Sequence, residues 1–285
     1  MDFESGIRQE QRVAKIFRVG DVDITCIDDG VLKSSVDFVL GMAREEASEI
    51  AGATDDGSIL IPVNNFLFQR DGATILIDAG AGNTMQPTLG RLPENLRSAG
   101  FEPSAITHIL LTHLHPDHAN GLVDDNHRAI FPNAEIVVHE VEFDFWMRDG
   151  AAEESDALKR TRARNKINMK PYLDRVRLMR DGQELMGCSP ILAPGHSPGH
   201  TCWRIETGRE DLIAWGDLVH FSAIQIPYPQ SAVKYDLDAD LARASRLRML
   251  DLIATEHLAV AGAHVNAPGV GYLSKTDAGY RFEPA

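Results

Sequence analysis

The chain is poor in three things, and each shortage argues against a class of protein. It has three cysteines in 285 residues, Cys26, Cys188 and Cys202. An odd number with no short spacing argues against a disulfide framework and against a Cys-x-x-Cys metal site. Their apolar, strand-like surroundings read as buried thiols. Basic residues are scarce: 28 Lys and Arg stand against 42 Asp and Glu, for a formal net charge of -14. Such an acidic chain is a poor candidate for sequence-independent binding to a phosphate backbone, so no nucleic-acid partner is expected. Long apolar runs are missing too. None approaches the ~20 residues of a membrane span, and Met1-Asp2-Phe3-Glu4-Ser5 lacks the basic-then-apolar pattern of a secretion signal. A cytoplasmic protein without a membrane partner is expected. Hydrophobic residues make up 44% of the chain, enough for one large domain or two small ones.

What the chain has in concentration is histidine. Three imidazoles and one carboxylate fall in the run His113-Leu114-His115-Pro116-Asp117-His118. The run follows Ile109-Leu110-Leu111, which reads as a buried strand, so the polar cluster sits at a strand's C-terminal mouth. Imidazole nitrogen and carboxylate oxygen are donors that borderline divalent metals such as zinc prefer. Four such side chains cannot form a core element, because each needs a partner once buried.

The rest of the chain reads as strands and helices around this point. Val13–Phe17 and Val22–Ile27, separated by Gly20-Asp21, give a hairpin signal within an N-terminal segment of about 40 residues. Residues 43–51 read as a helix. A second hairpin joins Asn65–Phe68 to Thr74–Ile77 across Asp71-Gly72 and ends in the glycine-rich turn Asp78–Gly82. Residues 88–99 read as a helix stopped by Gly100. A strand is expected at Glu135–His139, then only helices through 140–180. Strands follow at 190–193, 201–205 and 211–215. A long helix is expected over 236–254, with Leu237, Leu241, Leu247, Leu250 and Ile253 as its apolar positions. The last strand is expected at 258–261. No linker, repeat or low-complexity tract interrupts the chain. Hairpins and strand–helix units in both halves suggest an α/β fold of two packed sheets with helices outside, in one domain.

Three more candidate ligands end predicted strands: His196 in Pro194-Gly195-His196, Asp217 in Gly216-Asp217, and His264 in Gly262-Ala263-His264. Delivering ligands from several strand ends onto one rim is how a rigid scaffold fixes a metal site. With Asp78 after a strand and the His-x-His-x-Asp-His run, this order resembles the metallo-β-lactamase superfamily from about residue 60 to the C-terminus. Trp215–His220, the long helix after Asp236, Ala261–His264 with Pro268–Gly271, Pro132–Glu135 and Phe143–Trp146 resemble its methyl parathion hydrolase branch, which includes lactonases and aryl esterases.

The resemblance implies a four-layer αββα sandwich with two mixed sheets and a dinuclear metal site. His113, His115 and His196 would take one ion, Asp117, His118 and His264 the other, and Asp217 would bridge them. Zinc is the ion expected, with manganese, iron and cobalt as alternatives. His196 and His200 compete for one slot, which the family pattern gives to His196, leaving His200 to orient a ligand by hydrogen bonding. Asp78 either fixes a ligand imidazole or caps a turn. Many lactonases of the superfamily carry a tyrosine three residues after the bridging aspartate; here that position is His220. Phe66, Phe143, Trp146, Phe221 and Tyr228 are the aromatic candidates for a substrate pocket.

The reaction implied is hydrolysis of a carboxylic ester or lactone by a metal-bridging hydroxide, with Asp117 and Asp217 as the catalytic carboxylates and Asp117 passing a proton to the leaving group. Organophosphate triester hydrolysis and a thioesterase of the glyoxalase II type are the alternatives. A flavodiiron protein would need a fused flavin domain for which the chain has no room. The substrate expected is a small, neutral, partly apolar molecule, and the family suggests a homodimer.

Overall fold

The structure, a computed structural model, describes residues 14–151 and 153–285. Val13, at the start of the first expected strand, lies outside them. In chain order the elements are β1 (Ala14–Val19), β2 (Val22–Ser35), β3 (Val39–Leu40), α1 (Arg44–Ala51), β4 (Ser58–Arg70), β5 (Ala73–Ile77), α2 (Leu92–Ser98), β6 (His108–Leu110), α3 (Pro116–Ala119) and β7 (Glu135–His139). They continue with α4 (Glu140–Met147), α5 (Asp156–Met169), β8 (Val176–Met179), β9 (Cys188–Leu192), β10 (Thr201–Glu206), β11 (Asp211–Ala214) and α6 (Ser222–Gln225). The last are β12 (Ala232–Val233), α7 (Ala239–Glu256), β13 (Ala259–Ala261), β14 (Val270–Lys275) and β15 (Tyr280–Pro284).

Two sheets carry the fold. One runs β1-β2-β4-β5-β6-β7-β8 and the other β15-β14-β13-β11-β10-β9, while β12 pairs with β3 at the side. Strands β5 to β8 are mutually parallel, as are β11 and β13. Apart from the edge strand β8, these strands are buried on both faces, which is why they read as nearly unbroken apolar runs. Their alternation sorts the layers. Ile75, Ile77, Leu110 and Val137 meet Leu212, Ala214, Ala259 and Ala261 between the sheets. Leu76, Ile109, Ile136 and Val138 face outward against Leu92, Leu96, Trp146 and Met169 of the helices. On the other side Cys202, Ile213 and Val260 pack under Met249, Leu250 and Ile253 of α7. Helices, sheet, sheet and helix make the expected αββα sandwich. All three cysteines are buried, and none of the described helices is long and apolar enough to cross a membrane.

Several expectations need correction. Strand β8 lies within 140–180, where none was expected. It is an edge strand with Arg177 and Leu178 exposed, so it lacks the apolar run that marks a buried strand. Strands β14 and β15 extend the second sheet beyond the last strand expected. β15 is a largely exposed edge, and it reads as polar for the same reason. β2 continues to Ser35, eight residues past Ile27, through a bulge at Asp28–Gly30 that breaks its apolar pattern. Helix α2 begins at Leu92 and not at 88, because buried Asp29 accepts the N–H groups of Gly90 and Leu92 and holds the preceding turn. Helix α7 begins at Ala239, where Asp238 caps it by accepting from Leu241 N–H. Leu237 and Leu241 are exposed. The buried face is built from Ala242, Ser245, Arg246, Met249, Leu250 and Ile253.

Candidate metal centre

The C-terminal ends of β5, β6, β11 and β13 open onto one edge of the sandwich, the usual place for a ligand site in a parallel sheet. Two bonds between the sheets fix that edge: Trp203 Nε1–H donates to Leu111 O at 3.0 Å and Thr201 N–H to Thr112 O at 2.9 Å. The chain leaves β6 through His113, Leu114 and His115. Pro116 then starts α3, where its missing N–H costs nothing, so that Asp117 and His118 follow within one helical turn.

The seven residues expected as ligands converge. His113, His115, His196 and Asp217 offer donor atoms within 4.8 Å of one another, and so do Asp117, His118, Asp217 and His264. Asp217 faces both sets. Its Oδ2 is 3.2 Å from His196 Nε2 and 3.6 Å from His113 Nε2, while its Oδ1 is 2.8 Å from His118 Nε2 and 3.1 Å from His264 Nε2. His115 points Nδ1 at His196 Nε2, 2.6 Å away. Asp117 Oδ2 lies 3.5 Å from His118 Nε2 and 3.4 Å from His264 Nε2.

This donor set fits two cations. His118 Nε2 and Asp217 Oδ1 are fully buried and have no hydrogen-bond partner, a costly arrangement unless something electropositive lies between them. Electrostatics agree. Burial, aided by neighbouring His118, pushes His113 well below its usual range, and burial with His196 does the same to His115; both are neutral, as a ligand must be. Burial opposes protonation of His118 and His264, but Asp217 and Asp117 outweigh it and raise both. Asp217 itself is held well below the carboxylate range, against burial, by His118 and His264.

Several of these side chains are braced from behind. Asp78 accepts from His118 Nδ1 at 2.7 Å and from Thr112 N–H at 2.8 Å. Of its two sequence readings, the carboxylate takes the one that fixes an imidazole. Asp78 adopts φ of 61°, an uncommon left-handed conformation that such sites sustain. Thr112 Oγ1 sits 3.0 Å from His113 Nδ1. His264 Nδ1 donates to Pro62 O at 2.8 Å, and Asn64 holds the same loop through Gly262 O and Val265 O. His200 lies behind the cluster: its Nε2 accepts from Asp217 N–H at 2.9 Å while Nδ1 donates to Ala193 O at 3.0 Å. Burial pushes His200 down to about 3. Gly216 makes that contact feasible, since a Cβ there would stand 2.8 Å from His200 Nε2 and its φ is 52°.

Sequence reasoning missed four contributors. Asp236 Oδ1 lies 3.1 Å from His196 Nδ1, and with Asp217 it raises His196 to about 9 against the effect of burial. Glu142 and Thr112 support ligand loops. Tyr235 stacks on Phe38 with centroids 4.8 Å apart and lies 5.6 Å from the His220 ring. These are single residues in unremarkable runs, and no spacing rule marks them.

The aromatic candidates scatter. Trp146 is buried and meets the His115 ring edge-on at 5.6 Å. Phe66 lies between the sheets, Phe143 packs in the outer helical layer, and Phe221 is buried with Val36, Ile61 and Ile224. Tyr228 is on the surface. The structure therefore does not gather these five into one pocket. His220 does reach the centre, with Nε2 2.9 Å from Asp217 Oδ2, its ring stacked on His264, and neither ring nitrogen hydrogen-bonded.

The family model of the metallo-beta-lactamase superfamily matches residues 59–264, which spans every residue of the centre. The chain belongs to the metallo-β-lactamase superfamily. Among its relatives is the N-acyl homoserine lactonase AiiA of Bacillus thuringiensis subsp. kurstaki, 23% identical over 236 residues, covering 76% of this chain and 86% of that protein. Among solved structures, the hydrolase AbOPH of the beta lactamase superfamily superposes with a TM-score of 0.91 at 30% identity, over 95% of this chain and 97% of that one. The dizinc quorum-quenching lactonase AidC, in complex with a product, superposes at 0.88 and 28% identity with the same coverage. This metallo-β-lactamase-fold chain thus shares its architecture with a hydrolase and with a dizinc lactonase.

Proposed function

We propose that this protein is a dinuclear-metal hydrolase that opens lactones or cleaves carboxylic esters, with acyl-homoserine lactones as the leading substrate class. The observation that carries the reading is Asp217, whose two oxygens face two separate sets of imidazoles. In the proposed assignment His113, His115 and His196 would hold one ion, Asp117, His118 and His264 the other, and Asp217 would serve both. Zinc is the ion proposed, as in the dizinc relative AidC. When bound, two such ions supply Lewis acidity toward a carbonyl and lower the pKa of water.

The chain's own groups supply the rest. The centre meets solvent at His115, which is partly exposed, and at the Asp117 side chain, which is 10% exposed, so substrate approaches over these two. Asp117 is the carboxylate assigned here to take a proton and pass it to a leaving group. His220, unpartnered beside Asp217, is the donor left to meet a substrate oxygen. The stacked Phe38 and Tyr235 next to it offer an apolar wall to an acyl chain, and Phe38 is 37% exposed. Residues 1–285 are read as one domain. A cytoplasmic homodimer is the proposed form, on the family resemblance and the expectations from composition.

The test is a kcat/KM panel on matched lactone, aryl ester, thioester and phosphotriester substrates at fixed zinc load. Lactones are expected to lead. A thioester or phosphotriester turned over orders of magnitude faster than every lactone and ester overturns the reading.

A further inference from the structure

Glu142 is a fully buried carboxylate with neutral groups for partners. Its Oε1 accepts from Leu114 N–H at 2.8 Å and from the Trp146 indole N–H at 2.7 Å. Its Oε2 accepts from the Ser197 hydroxyl at 2.6 Å and from Gly199 N–H at 3.0 Å. Burial raises its carboxyl above the usual carboxylate range, and these four donors offset only part of that rise. Burying a charge without a counter-charge is costly, and such an arrangement survives when the hydrogen bonds do something specific.

The four donors come from particular places. Leu114 lies between His113 and His115. Ser197 and Gly199 follow His196 in the second loop. Trp146, one turn further along α4 on the same face as Glu142, presents its ring edge to His115 at 5.6 Å. The contact is tight enough to demand glycine: a Cβ at Gly199 would stand 2.1 Å from Glu142 N. The second set has other braces, Asp78 for His118 and Pro62 O for His264.

We propose that Glu142 is a positioning residue for one metal of the pair: its carboxylate clamps together the two loops that carry His113, His115 and His196. It thereby governs the affinity of that set and leaves the Asp117, His118 and His264 set nearly untouched. The inference rests on the ligand assignment proposed above. Replacing the carboxylate by an amide turns one acceptor oxygen into a donor. Whichever way the amide lies, its NH2 faces a backbone N–H, of Leu114 or of Gly199, which cannot reverse its role.

The test is a cycle in the full chain, reading zinc affinity by competition with a chromogenic chelator. The His264→Ala background keeps the first set and the His113→Ala background keeps the second. Glu142→Gln is expected to weaken zinc about 10- to 100-fold in the first background, the range for loss of a ligand's support, and less than about threefold in the second. A general loss of stability would weaken both alike. If Glu142→Gln does not fold, Trp146→Phe and Ser197→Ala each remove one donor and should show the same bias at smaller size. Equal weakening in both backgrounds, or none in either, overturns this inference alone. Backgrounds that do not each retain one zinc overturn the ligand assignment and the inference together.

Discussion

The two halves of the centre share Asp217 yet are built from different chemistry. One half has three imidazoles, two of them, His113 and His115, pushed down by burial, and its supports include the buried Glu142 clamp. The other has two imidazoles and its own carboxylate, and both imidazoles are raised by Asp217 and Asp117. In the first half only His196 is raised, to about 9, whereas both imidazoles of the second half favour the protonated form, so an incoming cation meets more competition from protons there. Geometry organises the first half and charge organises the second.

The largest expected effect removes what the halves share. Asp217→Ala should reduce metal content from two equivalents to below one and lower lactone kcat/KM by on the order of 10³-fold or more, as when groups act as a unit. Elemental analysis and the substrate panel check this; a variant that keeps both ions would show that the halves are independent.

Acid should separate them next. His118, raised well above its usual range, and His264, raised above it, both favour the protonated form in the metal-free protein, so protons compete with metal at two positions of the second set. In the first set they compete only at His196, raised to about 9. Between pH 6 and 8, zinc affinity should therefore rise more steeply with pH for the second set than for the first. Zinc titrations of His113→Ala and His264→Ala across that range measure both slopes. Equal slopes would erase the contrast.

A smaller effect sharpens it. Asp78→Asn should weaken the second set about 10- to 100-fold, and Asp236→Asn the first, each by loosening one histidine. Crossed effects would mean that the braces do not act through His118 and His196. The smallest concerns His200, which holds the backbone of Asp217 and belongs to neither half. His200→Ala should keep both metals and cost about 1–3 kcal/mol of stability, for the buried groups left unpaired, read by chemical denaturation. Loss of metal as complete as in His196→Ala would return the ligand slot to His200.

Much of this centre was legible in the chain. His113, His115, Asp117 and His118 lie within six residues, and His196, Asp217 and His264 each follow an apolar run that ends at the same edge. The strands β5, β6, β7, β11 and β13 were legible because burial on both faces leaves no polar residue to interrupt them. Edge strands β8 and β15 were hidden because one exposed face removes that signal. The aromatic candidates do not converge on one pocket, for a related reason. A phenylalanine in an apolar run has the same local signature whether it lines a pocket or, like Phe66, fills the space between two sheets.

The sequence by itself determined the fold class and marked the side chains that converge at one edge, since residues able to hold a metal are few in kind and here follow the ends of rigid strands. Only the tertiary structure decided which groups stand behind those donors. Asp236 reaches His196 across 40 residues and Glu142 reaches Ser197 across 55. A buried hydrogen bond depends on where two backbones meet in space, and no local spacing encodes that meeting.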